Sequence, residues 1–301
     1  MFNLPTIRQF RHLAALAEHR HFGRAAEACH VTQSSLSASI KELEEILGAA
    51  LVDRTKRSVV FTPIGEETVR RARQILEEAE ELARAAQAGS MPLSGTIRLG
   101  VIPTVAPYLL PRTLGRLRAK YPNLKLYLRE DLTDRLLERL RAGELDAALL
   151  ALPYDIGSLE SEMLFDDRFA FCCRTDHPLA NSPEVAGERL AGESLLLLED
   201  GHCLRDHALA ACDLTDKAGR APFEATSLPT LVQMVDNGLG VTLLPQLAID
   251  AGILRGTELT TIPLEDKAAS RGIGLVWRAR TGRREEFQLL ARELHKLAAR
   301  K

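Results

Sequence analysis

Cys203 and Cys212 lie nine residues apart in LLLLEDGHCLRDHALAAC, a stretch that passes from a strand pattern into a helical one. A thiol in the first turn of a helix meets backbone N–H groups and the positive end of the helix dipole, and both favour the thiolate. A helix opening at Asp200 or Gly201 gives Cys203 that position, with His202 and Arg205 as nearby positive groups and Asp206 opposing them. Nine residues of continuous helix rise about 13.5 Å and turn through about 900°, which sets the two sulfurs on opposite faces. A disulfide needs Cα atoms within about 7 Å, so joining the pair would require the helix to unravel. Three chemistries fit these residue types: inert thiols packed as small hydrophobes, a metal shared by Cys203 and His207 one turn on, and a redox pair.

The remaining candidates narrow the function classes. Cys29 falls on the apolar side of its helix and is expected in a core. Cys172 and Cys173 are strand neighbours, expected to face opposite sides with one packed and the other partly exposed. An odd total of five cysteines without an export signal argues against a disulfide framework. No metal or cofactor is expected. The glycines form no phosphate loop, and G-x-S-x-G, H-E-x-x-H and Walker patterns are absent, so no conventional enzyme is expected. The 301 residues carry 41 acidic and 39 basic side chains, a net charge of −2, so a nucleic-acid partner would need a local basic patch. A 46% hydrophobic and 27% charged composition excludes disorder, and no apolar run approaches the roughly 18 residues of a membrane span. MFNLPTIRQFRHLAALAEHRHFG mixes charge into its apolar residues and lacks a secretory core, so the cytoplasm is the expected compartment.

The elements that must position these groups follow from periodicity. Phe10, Leu13, Ala14 and Ala17 predict one helix, and Phe22, Ala25, Ala26 and Cys29 a second. Thr32 caps a third, carried by Leu36, Ile40, Leu43 and Leu47 and ended at Gly48. LVDRTKRSVVFT then reads as a hairpin whose tip carries Arg54, Lys56 and Arg57. This order matches a winged helix-turn-helix, in which the third helix enters the major groove. On that helix Ser34, Ala38 and Lys41 point away from Leu36, flanked by Gln33 and Ser37. With Thr32 and Ser35 at the helix start, Arg8 near the N-terminus, and Arg54 and Arg57 on the wing, they are the candidate phosphate and base-edge contacts. Residues 1–62 hold eight basic against six acidic side chains, a net of +2, which also suits an ordinary helical subdomain with a solvated face.

Thr62 and Pro63 open a helix over 63–88, about 39 Å long, whose stripe of Ile64, Val69, Ala72, Ile75, Leu76, Ala79, Leu82, Ala83 and Ala86 calls for a partner helix from a second chain. AGSMPLSG at 88–95 reads as a flexible linker. From Thr96 strand and helix patterns alternate through TIRLGVI, LKLYLRE and LDAALLAL, a parallel α/β unit. Further strands are expected at 169–173, 194–199, 240–245 and 272–278, giving two α/β lobes with a cleft between them.

AEHRHFGRAAEACHVTQSSLSASIKELEEILGAALVDRTKRSVVFTPIGEE resembles the LysR-type transcriptional regulators across the whole winged domain, and the long helix and two-lobed remainder fit the same family. Family members often carry proline after the glutamine of the recognition helix, where this chain has Ser34, a departure that bears on base preference. GVIPTVAPYLLP, TSL at 226–228, and LEDGHCLRD with its second cysteine are similar to the peroxide-sensing members of that family. The resemblance implies an α/β architecture of three parts: a winged helix-turn-helix DNA-binding domain at 1–62, a linker and dimerisation helix at 63–90, and a two-lobed, periplasmic-binding-protein-like regulatory domain at 91–301. It implies that Cys203 is oxidised to a sulfenic acid and that Cys212 resolves it as a disulfide. It places Thr104, Thr133, His202, Asp206 and Arg271 around the thiol, although by residue type alone both threonines also read as helix caps and Arg271 as a surface ion pair. The partners implied are promoter double-stranded DNA, hydrogen peroxide, further copies of the chain as homodimer and homotetramer, RNA polymerase and a cellular thiol reductant, at the nucleoid and without a membrane. The alternative is a regulator of the same family gated by a small metabolite between the lobes, with both cysteines as bystanders.

Overall fold

Thr6 opens the first helix, α1 (Ile7–His19), with a reciprocal cap in which its hydroxyl accepts from the Gln9 amide and the Gln9 side chain accepts from the Thr6 N–H. The computed structural model describes residues 4–54, 59–87, 93–190, 192–211, 220–266 and 269–298. Helix α2 (Phe22–Ala28) follows, and α3 (Gln33–Leu47) starts on the Thr32 side chain and stops at Gly48, whose φ of 67° is the left-handed turn that glycine tolerates. Leu13, Leu16, Ala25, Ala26, Leu36, Ile40 and Leu43 make one core. Strands β1 (Val52–Arg54) and β2 (Val59–Phe61) pair antiparallel in the expected hairpin, whose tip at 55–58, with Lys56 and Arg57, lies outside the described residues. Glu44 ties α3 to the hairpin by accepting from the Leu51 and Val52 amides.

Helix α4 (Pro63–Gln87) crosses Leu51 so closely that a Cβ on Gly65 would lie 2.0 Å from the Leu51 carbonyl oxygen, a passage open only to glycine. The first half of the α4 stripe has a partner in its own chain, because Val69 and Ala72 are buried in the core shared with α1. Further along, Ile75 and Leu82 stay exposed, 39% and 74%. Cys29 caps the end of α2 half-buried at the edge of this core rather than inside it, because the chain turns at His30.

The chain divides into two compact units, Met1–Met91 with Arg141–Glu144, and Pro92–Leu140 with Leu145–Lys301. In the second, β3 (Gly95–Val101), α5 (Ala106–Lys120), β4 (Leu124–Glu130), α6 (Thr133–Arg141) and β5 (Ala147–Leu152) alternate as expected, with β3 parallel to both β4 and β5. The sheet then becomes mixed. β6 (Leu159–Arg174) pairs antiparallel along its first ten residues with β11 (Ser270–Arg278), and beyond them with β9 (Thr242–Pro245) and β10 (Leu259–Pro263). The strand order is β10-β6-β11-β5-β3-β4, with β9 on β6. β7 (Leu195–Leu198) and β8 (Arg220–Ala225) form a separate parallel pair that carries α8 (Cys203–Ala211) between them. α7 (Gly187–Leu190), α9 (Leu228–Asp236), α10 (Gln246–Asp250) and α11 (Arg284–Ala298) complete the unit.

Three further expectations change. The first half of β6, together with β8 and β10, forms strands where no strand pattern stood out. Cys172 and Cys173 are both fully buried, because both faces of β6 are covered at that point, and burial pushes the Cys172 thiol up to about 12 and that of Cys173 to about 11. Arg271 is no surface ion pair but one of the largest fully buried side chains.

Candidate functional site

The β7–β8 pair delivers the Cys203 thiol. β7 is apolar and buried along its whole length, the chain turns through Gly201 at φ 95°, and α8 begins at Cys203 itself. Cys203 therefore stands in the first helical turn, 5% exposed. It lines a crevice with Gly201 and His202, opposite Ile102, Pro103 and Thr104 from the β3–α5 turn and Leu132 and Thr133 from the start of α6. The crevice is narrow, with about 160 Å³ of non-atom space, its open mouth included.

Two hydroxyls face this thiol from the opposite wall, and neither is spent as a helix cap. Val105, not Thr104, precedes α5, and the Thr104 hydroxyl oxygen accepts from Arg271 Nη1 at 2.7 Å, which leaves its proton free to donate. Thr133 is the first residue of α6, 1% exposed, and its buried Oγ1 has no hydrogen-bond partner among the described residues. A buried hydroxyl without a partner is costly unless a small polar molecule visits it.

Arg271 holds this wall in place. Its guanidinium donates to both atoms of the Thr104 contact, Oγ1 and the carbonyl oxygen, and twice to the Asp167 carboxylate on β6, at 2.9 and 3.1 Å. Asp167 is fixed from behind by the Leu247 amide. A buried cation thus stands one hydrogen bond from the crevice, joining the β3–α5 turn to β6.

His202 is buried beside the thiol, and its burial holds the imidazole below its ordinary pKa, with Glu199 4.0 Å away opposing that shift. Arg205 is tied to the strands that carry α8. Its buried guanidinium donates to the Leu198 carbonyl and the Glu224 carboxylate and pairs with Asp200 at 3.3 Å, locking the first turn of α8 to β7 and β8. Asp206 is exposed. Cys212 follows the last residue of α8 and lies outside the described residues. His207 spends Nε2 on the Pro153 carbonyl at 2.9 Å, and no cluster of three His, Cys, Asp or Glu suited to a metal occurs among the described residues. Sequence reasoning passed over Tyr154, next to Pro153, whose hydroxyl donates to Asp134 at 2.7 Å. Burial and then that hydrogen bond push it up to about 12, and Cys203 and Asp206 lie within electrostatic reach.

On the winged unit, Arg8, Thr32, Gln33, Ser34, Ser35 and Lys41 are exposed and Ser37 is half-buried. The Thr32 hydroxyl is shared with those of Ser34 and Ser35 at 3.0 and 2.8 Å, so the start of α3 presents a hydroxyl cluster beside orphan amide groups. Lys41 pairs with Glu45, 3.5 Å away and equally exposed, a weak surface ion pair. From inside, His12 steadies the helix by a 2.8 Å hydrogen bond with Ser39, a support the sequence did not announce.

Residues 7–66 match the bacterial regulatory helix-turn-helix protein, lysR family, and residues 91–299 match the LysR substrate binding domain. The HTH-type transcriptional regulator EstR of Acinetobacter baylyi is 39% identical over 300 residues, 99% of each chain. The DNA-binding transcriptional dual regulator OxyR of Escherichia coli is 43% identical over 285 residues, 95% of this chain and 93% of that one. A full-length Pseudomonas aeruginosa OxyR with a cysteine-to-aspartate substitution superposes with a TM-score of 0.85 at 36% identity, covering 97% of this chain and 95% of that one. A hydrogen-peroxide-bound cysteine-to-serine mutant of Corynebacterium glutamicum OxyR gives a TM-score of 0.68 at 37% identity over 99% and 94%. By sequence over almost its whole length and by the fold of both units, the chain belongs to the LysR family of bacterial helix-turn-helix transcriptional regulators.

Proposed function

We propose that this regulator senses hydrogen peroxide through Cys203 and passes the signal to promoter DNA by forming a disulfide with Cys212. The observation that carries the reading is the thiol itself: first residue of α8, nearly buried, in a crevice lined by one hydroxyl without a partner among the described residues and another held by a buried arginine. Peroxide fits such a wall because it both donates and accepts. The Cys203 thiolate attacks one peroxide oxygen, the O–O bond breaks, and the departing hydroxide, hydrogen-bonded by the Thr104 and Thr133 hydroxyls, takes up the proton the thiol released and leaves as water. The sulfenic acid then condenses with the Cys212 thiol, releasing water.

Covalent geometry turns that second step into a switch. α8 is continuous from Cys203 to Ala211, about 12 Å at 1.5 Å per residue. One further trans peptide moves a Cα by about 3.8 Å, which leaves at least about 8 Å between the two Cα atoms whichever way the chain turns. A disulfide tolerates about 7 Å at most, so it cannot close on an intact α8, and part of the helix must unwind. The metabolite-gated alternative finds less support: Arg271 fills the space between β6 and the β3–α5 turn, and the thiol crevice is small. One equivalent of peroxide added to the reduced protein, followed by peptide mass mapping and DNA footprinting, tests the reading. A 203–212 linkage with a changed footprint is expected, and a changed footprint without that linkage favours the metabolite reading.

The three-part division at 1–62, 63–90 and 91–301 follows the same reading, with Arg54 and Arg57 on the wing joining the exposed α3 residues against DNA. Lys41→Ala removes one phosphate contact, so the slope of log K against log salt falls by about 0.9 for each winged unit bound. An unchanged slope takes Lys41 off the interface. The second half of α4 is assigned to a second copy, since Ile75 and Leu82 stay 39% and 74% exposed among the described residues. Ile75→Glu with Leu82→Glu removes two side chains from that interface at about 1.5–3 kcal/mol each and weakens dimers by at least about a hundredfold. Sedimentation showing the native association sinks that assignment. Oxidation is stoichiometric rather than catalytic, and turnover of peroxide in large excess over protein contradicts it. Resetting by a cellular thiol reductant, contact with RNA polymerase, assembly to a tetramer and residence with the DNA in the cytoplasm belong to the same proposal.

A further inference from the structure

His207 is not among the residues that line the thiol crevice, yet it makes a hydrogen bond that fastens the middle of α8 to another element. Nε2 lies 2.9 Å from the Pro153 carbonyl oxygen at the end of β5, an acceptor that requires Nε2 to carry the proton. Nδ1 is then an unprotonated lone pair, and it is buried without a hydrogen-bond partner among the described residues. Burial lowers the pKa of this imidazole and keeps it neutral, in agreement with that tautomer. The bond reaches across the sensor. α8 belongs to the β7–β8 pair, whereas Pro153 follows the strand that pairs with β3 and β11. The next residue, Tyr154, is bonded to Asp134 in the first turn of α6, directly after Thr133. His207 therefore connects the helix that must unwind to the segment that ends against the opposite wall of the crevice.

We propose that His207 is a positioning residue, a latch that holds α8 wound against Pro153 and so sets how oxidising the surroundings must be before the 203–212 bond forms. The inference rests on the redox reading above. Unwinding α8 carries His207 away from Pro153, so the hydrogen bond stabilises only the dithiol form. Its loss shifts the dithiol–disulfide equilibrium toward the disulfide without altering the attack of Cys203 on peroxide. Glutamine at 207 can still donate an N–H from the same turn of helix, whereas leucine keeps the bulk and donates nothing.

The test equilibrates the full-length reduced protein with glutathione buffers, in which one glutathione disulfide takes two electrons and two protons from Cys203 and Cys212 and leaves as two thiols. His207→Leu is expected to raise the equilibrium constant for the protein disulfide about fivefold, which is about 20 mV at 29.6 mV per tenfold. His207→Gln is expected to stay within about twofold of native, the share of a weak hydrogen bond. In a Cys212→Ser background the rate of sulfenic acid formation should be the same for all three side chains. Hydrogen exchange of the α8 amides in the reduced chains gives a second measure, with faster opening in the leucine variant alone. A leucine variant that matches native in both measurements overturns the latch, and so does a glutamine variant that behaves like leucine. A native chain that forms no 203–212 disulfide in any glutathione buffer overturns the redox reading underneath, an outcome distinct from both.

Discussion

Cys203→Ser is expected to abolish the response to peroxide completely, with no linkage, no trappable sulfenic acid and an unchanged DNA footprint at any dose that leaves the fold intact. The serine hydroxyl is nearly isosteric but stays protonated, so the first-turn position of α8 has no anion to stabilise and the O–O bond meets no nucleophile. Cys212→Ser is expected to stop one step later. Cys203 still reaches the sulfenic acid, which a dimedone-type reagent traps and mass spectrometry locates, but no disulfide closes and α8 keeps its turns. Cys172→Ser and Cys173→Ser should respond as native, because both thiols are fully buried and burial holds them protonated. A normal footprint shift in Cys203→Ser would remove the thiol from the signal altogether.

What the sequence made legible was local. Thr32 and Gly48 bracket α3 because capping chemistry acts over three or four residues, and the Leu36, Ile40, Leu43 spacing sets which face is buried. Cys203 in a first helical turn was readable for the same reason, since an apolar strand, Asp-Gly and a helical pattern follow one another directly. Distance in the chain is where legibility ended. Arg205 looked like an aid to the thiol until the fold brought Glu224, 19 residues away, to its guanidinium. Arg271 meets Asp167 at a separation of 104 residues and Thr104 at 167, and nothing in the flanking residues of any of them marks the contact. The opening half of β6, LESEMLFDDR, carries four acids and one arginine, and its strand character comes from the pairing with β11 rather than from its own composition. One of Cys172 and Cys173 was expected partly exposed because strand alternation predicts faces but not what a second layer covers.

The buried Arg271–Asp167 pair carries the largest expected stability effect. Both side chains are almost fully removed from water, 0% and 1% exposed, so deleting one leaves the other charged and unpaired in a low-dielectric interior. Arg271→Ala is therefore expected to destabilise the regulatory unit by about 3–5 kcal/mol in denaturant unfolding. Neutralising the pair together should recover most of that loss. Arg271→Met keeps much of the volume, and Asp167→Asn keeps Oδ1 as an acceptor for the Leu247 amide, so the double variant buries no lone charge. Stability and chemistry then separate. The double variant still lacks the donor that holds the Thr104 hydroxyl at 2.7 Å, so peroxide loses an aligned partner and the cation behind it. Sulfenic acid formation at Cys203, followed by stopped flow in a Cys212→Ser background, is expected to slow by roughly tenfold or more although the fold is restored. Oxidation at the native rate in the refolding double variant would reduce Arg271 to a structural clamp and leave the Thr133 hydroxyl as the group that receives peroxide.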